Sequence, residues 1–487
     1  MSKIFSLLAL IPVMFFVACG SGSSSKPTGP FSNASLNGQY VYQISGTDFT
    51  TNANGAPYRE SGVFAANGAQ AITAGIDDFV EGGGGVATNT TTGSYTINND
   101  GTGSISLTVG TSTNTFAVTM VTTSKVYLIE ADGGVNASGL AELQNSAAIT
   151  SVPNGTFTFR TNILNVSQVP TGTVGALTIA GGAVTSGNED SITLGTLDVP
   201  LVLTGGTFSA PDANGRGTFS LNNSTPATTN FFYYIVDSNN IRFFDRDLSF
   251  VGLGSAEKQT GPLTFSGAYA FGSRGDTNNF GLGGTNTVGV FTSDGTSSIS
   301  SGAFDSVQDG NQSSNVAFTG NFTTVDSHGR TVVTLSTGEQ LLAWMVSASR
   351  GFFIFNDVTR VEDGTFDSQL GSGFSNATMN GQFGFAMDGF DLIAGANINR
   401  VGTLQWDGNG HLTLNEAANS GSGAVSPGTL TGNYVVSGNG RVLGTINNLS
   451  ESNGDLVFYL ISGNDAYVLE SDPSVEIAGT ISKQPSQ

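Results

Sequence analysis

Three pairs of carboxylates share one spacing in this chain: Glu130 with Asp132, Asp245 with Asp247, and Glu470 with Asp472. Each pair closes an apolar, β-branched or aromatic run such as Tyr127-Leu128-Ile129. A spacing of two puts both acids of a pair on one face of a strand, about 7 Å apart. Such a pair could form one side of a Ca²⁺ site, which gathers several oxygens, or serve as the acid and base of a glycosidase. A plainer reading is that the second Asp caps the turn that follows. A fourth run ends in Asn356-Asp357, so the Asp recurs in every copy and its acidic partner does not, which favours the turn. We therefore expect no metal and no cofactor, with the six acids kept as Ca²⁺ candidates.

Other chemistry is thinly supplied. The two histidines, His328 and His411, sit in Gly-rich turns, and no Gly-x-Ser-x-Gly elbow or His-Glu-x-x-His helix is present. Gly82 to Ala87 fits a dinucleotide-loop pattern formally, but no helix follows it. Asp77-Asp78 with Glu81, and Asn98 to Gly103, read as solvated hairpin ends. Trp344 and Trp406 read as core. The net charge of −21, from 16 basic and 37 acidic residues, repels phosphate backbones and excludes nucleic acid as a partner.

The acids belong to a repeat. Each copy opens with Gly-x-Tyr/Phe, at Gly38, Gly155, Gly267 and Gly381. A central Gly-x-Tyr/Phe follows at Gly93, Gly206, Gly320 and Gly432. Then come the Asp-terminated run, a Gly seven residues later (139, 254, 364, 479) and a Gln five further on (144, 259, 369, 484). The segment Phe31-Ser32-Asn33-Ala34-Ser35-Leu36-Asn37-Gly38-Gln39 returns almost unchanged at Phe374–Gln382. Landmarks kept in one order four times mark tandem copies of about 110 residues, a domain's size rather than a solenoid unit's. The expected boundaries are 35–146, 151–260, 262–371 and 377–485.

The chain holds 68 Gly and is 11% charged, with Thr, Ser and Asn at most polar positions. Helix periodicity is missing, and strand formers alternate with Asn-Gly and Asp-Gly turns. The first copy divides into eight strand candidates joined by short links. Eight meander strands close readily and remove exposed edges. The expected fold is all-β: four repeats, each an antiparallel eight-stranded up-and-down barrel, with a β-sandwich as the alternative.

The N-terminus carries Lys3, an apolar stretch from Ile4 to Phe16, and then Val17-Ala18-Cys19-Gly20. The stretch is short for a spanning helix and reads as a signal peptide, residues 1–19. Val17-Ala18-Cys19-Gly20 resembles the lipobox of bacterial lipoproteins, with Phe16 where Leu is usual. That resemblance implies lipidation of Cys19, the one cysteine of the chain, and a membrane partner through it. With Gly20 rather than Asp after the Cys, it implies the outer membrane or cell surface. Residues 20–34, rich in Gly, Ser and Pro, read as a flexible tether. The layout also resembles uncharacterised tandem β-repeat envelope lipoproteins, a likeness that implies no activity.

These readings converge on a non-catalytic, lipid-anchored envelope protein. Its β-domains would serve structural, adhesive or glycan-binding roles, with a glycan or an envelope protein as partner. One alternative is a carrier of a small apolar ligand in a barrel lumen. Another is a surface polysaccharide hydrolase, which needs one repeat unlike the rest.

Overall fold

The computed structural model describes residues 30–50, 55–81, 85–165, 167–197, 200–225, 228–277, 284–421, 423–426, 428–447 and 455–486. Cys19, the expected signal peptide and most of the expected tether lie outside these residues.

The first barrel runs through Asn37–Asp48, Ala56–Asn67, Ala71–Glu81, Ala87–Ile97, Thr102–Val109, Ser112–Thr122, Lys125–Glu130 and Val135–Leu143. Each strand pairs antiparallel with the next, and the last returns to the first through Tyr40↔Leu143 and Ile44↔Gly139. The third barrel, Ser266–Ser368, and the fourth, Asn380–Lys483, close in the same way. In the second, Gly155–Lys258, eight strands close through Pro170–Ala180 pairing with Ala183–Thr193, and the two-residue strand Thr196–Leu197 is added outside the ring of strands. All four repeats are thus closed barrels, and the sandwich alternative is excluded.

The repeated glycines have two separate causes. The opening Gly of every copy takes a left-handed backbone, with φ from +106° at Gly381 to +122° at Gly38, which a side chain resists. At Gly139 and Gly479, a Cβ would stand 1.9 and 1.8 Å from a carbonyl oxygen of the first strand. Barrel closure therefore requires glycine there. The aromatic after the opening Gly (Tyr40, Phe157, Tyr269, Phe383) is buried in every lumen.

The nine-residue echo is a plug. Asn33–Ser35 and Asn376–Thr378 form 3-10 turns across one end of the first and fourth barrels, seating Phe31 with Leu36 and Phe374 with Met379 in the cores. The central tyrosines hold them: Tyr95 donates to the Leu36 carbonyl at 2.8 Å and Tyr434 to the Met379 carbonyl at 2.9 Å. Phe265 enters the base of the third barrel in the same manner.

The four copies do not lie as beads on a string. Each barrel packs on the next, and the fourth packs on the first, so the repeats form a closed ring. The recurring Gln is the clamp. Gln144 donates to the Ile235 carbonyl at 2.6 Å, Gln259 to Met345 at 3.0 Å and Gln369 to Leu460 at 2.8 Å. Gln484 completes the circuit by donating to Met120 at 2.7 Å and to Asp100 at 2.9 Å.

Three of the four seams also share a buried triad. Asp78 meets Arg216 in a two-point pair (2.6 and 2.8 Å) and accepts from the Tyr234 hydroxyl. Asp190 meets Arg330 (2.7 and 2.9 Å) and the Trp344 indole N–H (2.8 Å). Asp305 meets Arg441 (2.8 and 2.7 Å) and the Tyr459 hydroxyl (2.6 Å). Asp77 and Asp78 are therefore not a solvated hairpin end. Asp78 is spent on this seam, and Asp77 points into the lumen, because a period of two sends neighbours to opposite faces of the barrel wall. Trp344 likewise lies between barrels, while Trp406 is luminal core. At the fourth seam, strand register puts Ala417, Thr102 and Thr119 where the triad stands elsewhere. Val121, Tyr127, Ile129 and Val401 fill that seam instead.

Candidate functional site

The interior of each barrel has a layer set by three register positions. One faces a glycine of the second strand: Asp77↔Gly62, Glu189↔Gly175, Phe304↔Gly289 and Glu416↔Gly402. The second position ends the seventh strand: Glu130, Asp245, Phe355 and Glu470. The third lies on the second strand: Glu60, Thr173, Thr287 and Arg400.

In three barrels this layer is polar and sealed. In the first, Tyr42 donates to Glu60 (3.1 Å) and to Asp77 (2.6 Å), and Tyr58 donates to Glu60 (2.6 Å). Burial, with Glu60 and then Asp132 nearby, pushes the Glu130 carboxyl up to about 9. Burial also raises Asp77 well above the usual carboxylate range. In the second barrel, burial pushes Asp245 up to about 7. In the fourth, Arg400 meets Glu470 at 2.9 Å with both side chains out of solvent. The free space beside Arg400 and Glu416 amounts to about 10 Å³, scarcely a water's worth.

The six Ca²⁺ candidates thus divide. Glu130, Asp245 and Glu470 are the luminal acids. Asp132 accepts the Thr115 amide at 2.6 Å, Asp247 the Asn230 amide at 2.9 Å and Asp472 the Ser474 amide at 2.7 Å. Asp357 of the third copy does the same for Thr359 at 2.8 Å. The second Asp of each pair is thereby a partner of backbone. Among the described residues, no group of three His, Cys, Asp or Glu is placed to hold a metal ion. The histidines stay apart: His328 reaches Asn188 across a seam, and His411 pairs with Asp407 at 2.8 Å on an exposed turn.

The third barrel is the outlier. Phe304 and Phe355 replace both luminal acids, and Thr287 takes the third position. The layer that seals the other barrels is missing, and a cavity of about 370 Å³ occupies the lumen. Eight phenylalanines line it, with Ile299, Val333 and Leu335 among the aliphatic residues between them. Phe265 and its neighbours Tyr269 and Phe322 pack tightly below.

Polar side chains gather at the opposite end, where the turns 308–311, 335–340 and 355–360 converge. Gln308, Asp309, Asn311, Ser313, Glu339 and Arg360 border the cavity there. The Arg360 guanidinium lies 3.9 Å over the Phe355 ring and 3.0 Å from Glu362, which also accepts from Ser273 (2.6 Å) and Thr285 (2.9 Å). Asp309 accepts from Thr277 at 2.7 Å. Glu339 Oε2 is shielded from solvent and has no hydrogen-bond partner among the described residues. The result is an apolar well with a polar, acid-rich rim, the form of a small-molecule site.

The sequence hides this site, because the third run ends in Asn356-Asp357, with a polar residue directly before the Asp. Aligning on Asp357 alone puts Phe355 at the acid's position, two residues earlier. That single substitution was the available signal.

No family model matches the chain, and no curated protein matches it. Among solved structures, similarity is found to transferrin binding protein B of Haemophilus parasuis Hp5, in a point-mutant form. Identity is 11%, covering 74% of this chain and 83% of that one, with a TM-score of 0.19. Intact Ap-TbpB, with N and C lobes, matches at 11% identity over 74% and 83%, TM-score 0.17. The isotype 1 protein of serogroup B Neisseria meningitidis matches at 7% identity over 74% and 84%, TM-score 0.19.

Proposed function

We propose that this chain is a non-catalytic, lipid-anchored protein of the cell envelope. Three of its barrels are scaffold, and the third receives a small, largely apolar ligand. The observation that carries the reading is the 370 Å³ well, present where Phe304 and Phe355 stand in place of luminal acids. Evolutionary cost aside, an empty apolar well forgoes the contacts that a filled core would make, and a bound ligand supplies them. The sealed state of Glu60, Asp77, Glu130 and Asp245 supports the non-catalytic part, since no substrate reaches them. The lipobox-like Val17-Ala18-Cys19-Gly20 supports the anchor. The Gln clamps all join the plugged ends of the barrels, so a tether leaving Phe31 would hold the plugged face toward the membrane and the third mouth away from it.

Two measurements test this. The chain from Gly20 onward, which retains every described strand, should bind the neutral dye N-phenyl-1-naphthylamine with a fluorescence rise and one site per chain. Phe304→Asp, which restores the acid of the other barrels, should abolish that rise while circular dichroism stays unchanged. Full-length protein should fractionate with membranes and incorporate fatty acid, and Cys19→Ser should do neither.

A further inference from the structure

We infer that the third lumen selects a cationic amphiphile: an aromatic or branched apolar body among the phenylalanines, and a positively charged head at the mouth. This rests on the ligand-binding reading above and adds the charge of the head.

The charges at the rim decide it. Among the described residues Arg360 is the one cation bordering the cavity, and it is already engaged. Glu362 stands 3.0 Å from its Nη1 and Asp357 stands 3.5 Å from its Nε. That leaves Asp309 and Glu339 as carboxylates facing the well with no cation set against them. Glu339 is the telling one, since its Oε2 is out of solvent and receives no donor among the described residues. A shielded carboxylate oxygen without a donor is costly until something supplies a positive charge or an N–H.

The walls agree with the rim. Phenylalanine faces attract cations within about 6 Å, and Arg360 already uses Phe355 in this way. A carboxylate or phosphate head would meet two acids, with only a neutralised Arg360 to answer it. The chain's net charge of −21 adds a long-range field of the same sign, which concentrates cations near the mouth.

The test is competition against bound N-phenyl-1-naphthylamine by three ligands of one shape: 2-naphthylmethylammonium, 2-naphthylmethanol and 2-naphthoate. The ammonium should compete about tenfold better than the carboxylate, with the alcohol between them. In the double variant Glu339→Gln, Asp309→Asn, the ammonium-to-carboxylate preference, taken as a ratio within that variant, should fall to within about twofold. Equal or stronger competition by naphthoate overturns the inference and leaves the ligand-binding reading standing. A preference that survives in the double variant also overturns it, because the rim acids would not be its source. Failure of the dye and of all three competitors to bind overturns both.

Discussion

Gln484 and Met120 stand 364 residues apart in sequence, and the side-chain amide of the first donates to the carbonyl of the second at 2.7 Å. This contact repeats, at the chain's closure, a bond made at every earlier seam by Gln144, Gln259 and Gln369. It is what turns four tandem barrels into a ring.

Gln484→Ala should open that ring most readily. The closing seam has Ala417, Thr102 and Thr119 where the others hold a charged triad, so the clamp has less to fall back on. The cost should be about 1–3 kcal/mol, since the Met120 carbonyl loses the Gln484 amide and the Asp100 carbonyl keeps only the longer bond from Gln382, at 3.2 Å. Small-angle scattering should show a larger radius for this variant, whereas Gln259→Ala should leave the radius unchanged.

Arg330→Met should be far more damaging than a surface charge change. It strands Asp190, which is 2% exposed, beside the Trp344 indole. Removing one partner of a buried pair costs about 3–5 kcal/mol. A double variant, Arg330→Met with Asp190→Leu, should recover much of that loss in a urea titration.

The luminal acids predict a fall in stability as pH rises. Glu130, raised to about 9, and Asp245, raised to about 7, keep their protons in the folded barrels. The unfolded chain releases them near pH 4. Between those limits the folded state binds more protons, so stability is fullest below pH 4 at these two sites and is lost as pH climbs through 7 and then 9. Melting temperature should therefore decline from neutral to alkaline pH, and Glu130→Gln should flatten the decline above pH 7.

Limited proteolysis should cut first at 370–373, where Leu370 is 71% exposed between the third and fourth barrels. The connectors at 145–152 and 260–263 should follow more slowly, because each carries an apolar side chain of its own, Ile149 and Leu263, packed in the barrel it leads into. The cut chain should still elute as one particle, held by seams rather than by the peptide bond. Separation into individual barrels would refute the ring.

The sequence made the repeat visible because its landmarks are backbone requirements. A left-handed turn admits little but glycine, and Gly139 with its counterparts permits the closing strands to touch. Such constraints survive in every copy. The eight strands of the first copy were legible for the same reason, since turn chemistry marks where they end. The role of Gln144 and its counterparts was not legible, because a donor's spacing does not reveal which barrel supplies its acceptor. Asp77 and Asp78 misled because two adjacent acids look solvated, whereas the barrel wall sends one inward and the other to a neighbouring barrel. The well in the third barrel was hidden because it is made by apolar residues in a place where an apolar residue attracts no notice.

The closure at Gln484 has one more consequence. The Phe31 amide donates to the Asn99 carbonyl, and Gln484 to the Asp100 carbonyl, so the first and last described stretches of the chain grip the same hairpin turn. Topologically the molecule is a circle cut at one corner. A gene permuted to begin at Gly261, with the old ends joined by a short linker, should encode the same particle. Its N-terminus would simply have moved round the rim by half a turn.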